Sequence, residues 1–342
     1  MFRKRFSTKK IASVGLSLAA ALVTIATGIL SGCSGGGEKR PIVLADGSWD
    51  SIQVHSRIAA FIIKNGYGYD TEFTFGDTIP LFNGLSRGDI DVTMEVWVEN
   101  QQNAYDEFTA NGSVIDLGSN YSDNWQGWLV PTYMINGDVA RGIQATAPDL
   151  KSVFDLPKYW QLFKDPETPG KGRFVNGPTG WEATTINAEK LKVYGLLAYY
   201  TDFIAGSDTA LSSSLASAYE QGKPWFGYYW EPTWVLGKYD MTRLEEPAYD
   251  PAIWNSTHAC AYPANKVNIC VNDGFYNRFP KLVDFLSKYT TTTQMLNEIL
   301  AYMRDNHAST EQAAEYFLKN YKSIWTPWVP ADVAAKVNAA LG

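Results

Sequence analysis

Four tryptophans carry the spacing in this chain that points to chemistry. Trp49 follows a short apolar run and Trp97 closes another, 48 residues later; Trp181 follows a third run and Trp230 closes a fourth, 49 residues later. Indole faces are electron-rich, and a methylated ammonium has no N–H to donate, so a box of such faces is its natural receptor. Trp230 also lies in the densest aromatic stretch, residues 225–234, where six of ten residues are aromatic. Core packing is the competing role for these side chains, although a buried indole N–H then needs a partner. Glu99, two residues beyond Trp97, either balances a bound cation or is a solvated loop residue. Asp46 and Asp50 have the same alternative, with helix capping as their structural role. Glu182 and Glu231 adjoin two of the tryptophans.

These side chains need elements to hold them. Residues 41–45 read as a strand, and a turn with good capping residues leads into a helix over 52–65 that stops at Gly66. A strand over 71–75, a short helix over 80–86 and a β-rich run over 89–97 complete a β-α-β-α-β order, which predicts a mainly parallel sheet. The middle of the chain repeats that order, with a strand at 173–176, helices at 182–193 and about 209–221, and the aromatic stretch as the closing strand. Each unit thus places two tryptophans beyond strand C-terminal ends, where open α/β sheets bind ligands. Residues 124–133 read as a β segment crossing between two domains, and 149–171 as a surface excursion. A strand at 266–271 precedes four helices, near 279–289, 292–306, 309–321 and 331–341, whose aromatics belong to packing.

The first residues form a basic head followed by an apolar run to Leu30 and Ser31-Gly32-Cys33, the parts of an export signal. The run is long enough to serve as an uncleaved anchor, but Leu-Ser-Gly-Cys resembles the lipobox of bacterial lipoproteins. That likeness implies cleavage before a lipidated Cys33, with 34–40 as a flexible tether. The leader holds five basic and no acidic residues, so the mature chain has 24 Lys+Arg against 36 Asp+Glu. That balance argues against nucleic acid as a partner and mildly favours a cationic or zwitterionic one. Cys260 and Cys270, ten apart in an exported chain, are expected to form a disulfide, with two free buried thiols as the alternative. The three histidines lack ligand-like spacing to them, so no metal site is expected.

The chain resembles the substrate-binding lipoproteins of ABC importers for glycine betaine, choline and related quaternary amines, from about Ile42 to the C-terminus. The matching motifs are Gly-Ser-Trp49, Val-Trp97, Gly-Trp128-Leu-Val-Pro, Gly-Pro-Thr-Gly-Trp181-Glu and Tyr-Trp230-Glu-Pro. The resemblance implies a two-lobed periplasmic-binding-protein fold (type II), α/β, with a mixed sheet flanked by helices in each lobe and a hinge between them. Its expected parts are a signal over 1–32, a tether over 33–40, one lobe from 41–131 plus 236–342, and another from 132–235. It implies Trp49, Trp97, Trp128, Trp181 and Trp230 as ligand-binding residues, an ABC permease as partner, and an exported position, in the periplasm or on the outer face of the cytoplasmic membrane. The chain departs from the pattern at Thr233, where several members carry a histidine that helps hold a ligand carboxylate.

An enzyme is the rival class. Gly84-Leu-Ser86-Arg-Gly88 fits the Gly-x-Ser-x-Gly pattern, but that elbow must follow a strand and open a helix, and here the order is reversed. A secreted sugar-binding protein or glycosidase would also use aromatic platforms, yet no pair of carboxylates stands on converging elements. No strand is followed by a Gly-x-Gly-x-x-Gly or Gly-Lys-Ser/Thr turn, so no nucleotide cofactor is expected.

Overall fold

The computed structural model describes residues 40–264 and 266–342. Cys33 and the leader lie outside the described residues. Among the described residues, ten strands form two five-stranded mixed sheets. The first contains β1 (Ile42–Gly47), β2 (Thr71–Gly76), β3 (Val92–Trp97) and β4 (Val114–Tyr121), with the last strand of the chain, β10 (Val267–Asn272), inserted to give the order β2-β1-β3-β10-β4. The second contains β5 (Gln126–Pro131), β6 (Gly172–Asn176), β7 (Tyr200–Ile204), β8 (Gly227–Trp230) and β9 (Met241–Arg243), in the order β7-β6-β8-β5-β9. This is the expected two-lobed α/β architecture.

In each sheet the three strands of the expected unit run parallel, β2-β1-β3 in one and β7-β6-β8 in the other. β1 and β3 are buried along their whole length, as parallel strands covered by helices on both faces must be. The helix Asp50–Ile62 returns the chain from β1, and the chirality break after its final turn falls at Gly68, with φ of 77°, rather than at the expected Gly66. Gly66 is a packing glycine instead, since a Cβ there would meet Val333 at 2.6 Å.

The expected lobe boundaries at 131/132 and 235/236 do not coincide with the change of sheet. β5 pairs with β8 from Gln126↔Trp230 to Leu129↔Gly227, and β9 pairs with β5 on its other side. The chain therefore crosses from the first sheet to the second between Tyr121 and Gln126, and returns between Arg243 and Val267. Pro131 closes its strand and contributes no N–H to the ladder there.

The expected disulfide is absent: Cys260 and Cys270 are both free and buried. Cys270 sits on β10 in a cluster with Val43, Ala45 and Leu85, whereas Cys260 belongs to the other hydrophobic cluster and its carbonyl accepts from Lys190 Nζ at 2.6 Å. Ten residues of separation place the two thiols in different cores, out of bonding range of each other. Of the C-terminal helices, Thr310–Asn320 packs against Asp50–Ile62 of the first lobe, and the aromatics serve packing as expected, Phe317, Trp325 and Trp328 in the core and half-buried Tyr302 stacked on Tyr316. Trp325 is fully buried and donates to the Leu318 carbonyl at 2.8 Å. Among the described residues no helix is long and apolar enough to cross a membrane.

Candidate functional site

Four equivalent positions in the two lobes supply the site. Trp49 stands between β1 and the helix Asp50–Ile62, and Trp181 between β6 and the helix Glu182–Val193; each has extended backbone at the helix entry. Trp97 and Trp230 are the last residues of β3 and β8. Close glycines let both turn tryptophans fold back over the sheet ends. A Cβ on Gly47 would meet the Trp49 ring at 2.8 Å, and one on Gly177 would meet the Trp181 ring at 3.0 Å.

All four rings line one cleft between the lobes, with an empty volume of about 380 Å³ including its solvent-open part. Trp49 and Trp181 meet across the lobes edge to face, with centroids 6.0 Å apart and planes at 80°, and Trp181 meets Trp230 at 4.9 Å and 86°. Tyr228 stacks nearly parallel on Trp230 at 5.9 Å. Three indole N–H groups are tied off away from the cavity. Trp181 Nε1 donates to Ser48 Oγ at 2.7 Å, while Trp49 Nε1 and Trp97 Nε1 both donate to Glu95 Oε2, at 2.8 and 3.3 Å. Satisfying the polar edges there leaves the π faces for a ligand.

Thr78, Asn100, Glu182, Ala183 and Tyr228 complete the lining, and no lysine, arginine or histidine is among the lining residues. Burial raises the Glu182 carboxyl above its ordinary value, with His258 opposing the shift. The lobes are bridged beside the cleft by two polar links. Ser48, which accepts from Trp181, donates to Asp77 Oδ1 at 2.7 Å, and the Asn100 and Gln126 amides donate to each other at 3.4 and 2.9 Å. Gly180, with φ of 97°, passes so near Asp77 that a Cβ would stand 2.5 Å from its carboxylate.

Two expected site residues lie elsewhere. Trp128 is fully buried in the second lobe, packed on Phe174, Tyr194 and Phe226, and its indole donates to Asn187 Oδ1 at 2.7 Å. Its cross-strand partner is Tyr228, so the two share a face of the sheet, but second-lobe side chains cover Trp128 where Tyr228 opens on the cleft. Glu99 does not line the cavity either: its carboxylate accepts the Lys266 N–H at 2.9 Å, and its carbonyl accepts from Trp254 Nε1. Its carboxyl is raised by burial, against the hydrogen bonds to Glu99 and Lys266 backbone. Asp46 is paired with the Arg57 guanidinium. Of the two glutamates beside cage tryptophans, Glu182 lines the cleft and Glu231 does not.

Sequence reading passed over Tyr228 and Glu95. Both stand two residues before a cage tryptophan on the same strand, so the alternation of a strand places each on its tryptophan's face. A glutamate in the wholly buried run Val-Thr-Met-Glu-Val-Trp was the visible signal for the second. Glu95 is 4% exposed, and its carboxyl is pushed up to about 7 by burial, against the lowering effect of hydrogen bonds from Trp49, Ser51 and Trp97. His55 Nε2 lies 3.8 Å from Glu95 Oε1, but burial lowers the imidazole to about 3, so it is neutral and the contact is not an ion pair.

Residues 40–320 match the family described as the substrate-binding domain of ABC-type glycine betaine transport systems. A trimethylamine N-oxide-binding protein of Pelagibacter ubique is 24% identical over 94% of this chain and 99% of its own. Among solved structures, an ABC-transporter choline-binding protein in complex with choline superposes with a TM-score of 0.71 at 19% identity, covering 88% of this chain and 98% of that one. Lactococcal OpuAC in its closed-liganded conformation complexed with glycine betaine gives 0.67 at 20% identity, over 85% and 99%.

Proposed function

Because this chain belongs to the family of substrate-binding domains of ABC-type glycine betaine transport systems, we propose that it captures a small methylated ammonium compound between its lobes and delivers it to an ABC permease. The observation that carries the ligand class is the convergence of four indoles, two from each lobe, on one cleft. Each cation–π contact contributes roughly 0.5 to 2 kcal/mol, so four together supply roughly 2 to 8 kcal/mol, the upper end of which matches the scale of about −8 kcal/mol that a micromolar dissociation constant requires. The family is one of solute-binding proteins, and the reading here is binding without catalysis. Its mechanism is hinge closure across the two crossover segments, with Trp49 and Trp97 on one lobe, Trp181 and Trp230 on the other, and the Trp181–Ser48–Asp77 link latching the closed form. In titration calorimetry the protein is expected to bind at least one of glycine betaine, choline, carnitine and trimethylamine N-oxide. Absence of heat with all four at millimolar concentration would reject the reading.

A specific observation bears on the polar end of the ligand. The cleft lining includes the Glu182 carboxylate and no basic side chain, and Thr233 stands where several members of the family carry a histidine. A ligand carboxylate would face like charge there, which favours choline or trimethylamine N-oxide over glycine betaine; the same calorimetric panel ranks them, and glycine betaine binding tightest would overturn the order.

Membrane attachment through a lipid on Cys33 is part of the same proposal, supported by the Leu-Ser-Gly-Cys motif behind an apolar leader. Cys33→Ser is expected to move the protein from the membrane fraction to the soluble fraction of expressing cells. An unchanged distribution would argue for a different anchor.

A further inference from the structure

Behind the first-lobe half of the cage lies a buried polar cluster that ligand contact alone does not explain. Glu95 Oε2 accepts from Trp49, Trp97 and Ser51 Oγ, the last at 3.2 Å, while Glu95 Oε1, near the Tyr121 hydroxyl, makes no hydrogen bond of normal geometry among the described residues and its side chain is wholly buried. A buried carboxylate that receives two indole N–H groups fixes both ring planes. When ionised it also polarises them, drawing positive charge to the N–H edges and enriching the faces that a cation meets.

We propose that Glu95 is a positioning residue for cation capture, whose negative charge tunes the two first-lobe indoles, so that filling the cage is coupled to loss of the Glu95 proton. This rests on the tryptophan-cage reading above. The groups around Glu95 leave it as the one that titrates near neutrality. His55, on the helix Asp50–Ile62, is lowered to about 3 by burial. The Tyr121 hydroxyl on β4, with Asp123 beyond it, and the Tyr289 hydroxyl are both pushed well above their ordinary values, first by burial and then by Glu95 itself. Burial raises the Glu95 carboxyl to about 7, so the empty protein holds it partly protonated at neutral pH. A cation arriving in the cage favours the carboxylate, and the proton leaves to solvent. By linkage, affinity then rises with pH up to that value and falls below it, by as much as tenfold per pH unit. Glu182, on the cavity wall, is a second carboxyl raised by burial, which is why the variant below is needed to assign the proton.

The test is calorimetry with choline, a permanent cation with no group titrating near neutrality, repeated in buffers of different ionisation enthalpy. The wild-type protein is expected to release up to about half a proton per choline at pH 7 and to bind roughly tenfold more weakly at pH 5.5 than at pH 8. Glu95→Gln, which can still accept an indole N–H, should bind several-fold more weakly at pH 8, show no dependence between pH 6 and 8, and release no proton. A carboxyl held above its ordinary value stabilises the fold below that value and loses the contribution as pH rises towards 7, so ligand-free Glu95→Gln should melt above the wild type at pH 8. No proton release by a wild-type protein that binds choline would overturn the proposal, as would a variant with the wild-type pH profile. Where Glu95→Gln does not fold, a Glu182→Gln protein decides the matter, since continued proton release assigns the proton to Glu95 and its loss overturns the proposal. A wild-type protein that binds none of the methylated ammonium panel at any pH would instead reject the cage reading itself.

Discussion

Trp181→Ala is expected to weaken capture of a methylated ammonium ligand by about thirtyfold while lowering the melting temperature of the ligand-free protein less than loss of the core residue Trp128 does. Two losses combine. One cage face goes, at roughly 0.5 to 2 kcal/mol. The edge-to-face contact of Trp181 with Trp49, which crosses between the lobes, goes with it at about 0.5 to 1.5 kcal/mol, whereas the contact with Trp230 lies within one lobe and counts towards stability. A total near 2 kcal/mol is about thirtyfold in dissociation constant. The contact with Trp49 and the donation to Ser48 both cross between lobes, so much of the loss appears as a weaker closed state. Trp181→Phe separates the two parts. It keeps an aromatic face but cannot donate to Ser48, and its affinity should fall between wild type and alanine. Calorimetry measures all three proteins; a change below about threefold for the alanine variant would remove Trp181 from the site.

Trp128→Ala should do the reverse, with a large loss of stability and little change in affinity per folded molecule. Its side chain is fully buried among Phe174, Tyr194 and Phe226, and removing a buried tryptophan typically costs about 3 to 5 kcal/mol through lost burial and the cavity left behind. Asn187 Oδ1 keeps one partner, the Tyr262 hydroxyl at 2.8 Å, so the loss is chiefly one of packing. For a chain of this length the melting midpoint is expected to fall by roughly 5 to 10 °C. Differential scanning calorimetry measures the midpoint, and ligand titration well below it measures the affinity. A stable Trp128→Ala protein that had lost its ligand would return Trp128 to the cleft.

The contrast between these two tryptophans defines how far the sequence reaches. Glycine-containing turns, helical periodicity and β-rich runs were enough to place two repeated α/β units, and with them Trp49, Trp97, Trp181 and Trp230 at strand ends and helix entries. Those positions follow from local rules, because where a strand stops and a helix starts is written in neighbouring residues. Trp128 has the same residue type, sits in a matching motif and shares a sheet face with its partner Tyr228, but Phe174, Tyr194 and Phe226 cover it. Whether a residue on that face meets the cleft or is covered depends on partners more than forty residues away, which the local pattern Trp-Gln-Gly-Trp-Leu-Val-Pro does not declare.

The same limit explains the other corrections. Cys260 and Cys270 are close in sequence, yet the return crossover carries them into different cores. Glu99 is two residues from a cage tryptophan, but a short helical turn directs its carboxylate to the Lys266 N–H while its neighbour Asn100 enters the cleft. Glu95 was visible as a charge in a buried strand, and its meaning came only with Trp49, 46 residues earlier, donating to the same oxygen as Trp97. Sequence alone determined that this chain builds two like lobes with tryptophans at their facing ends. Tertiary structure decided which tryptophans face one another and what holds their N–H edges, because burial and hydrogen-bond partnership belong to pairs of distant residues and no single stretch encodes them.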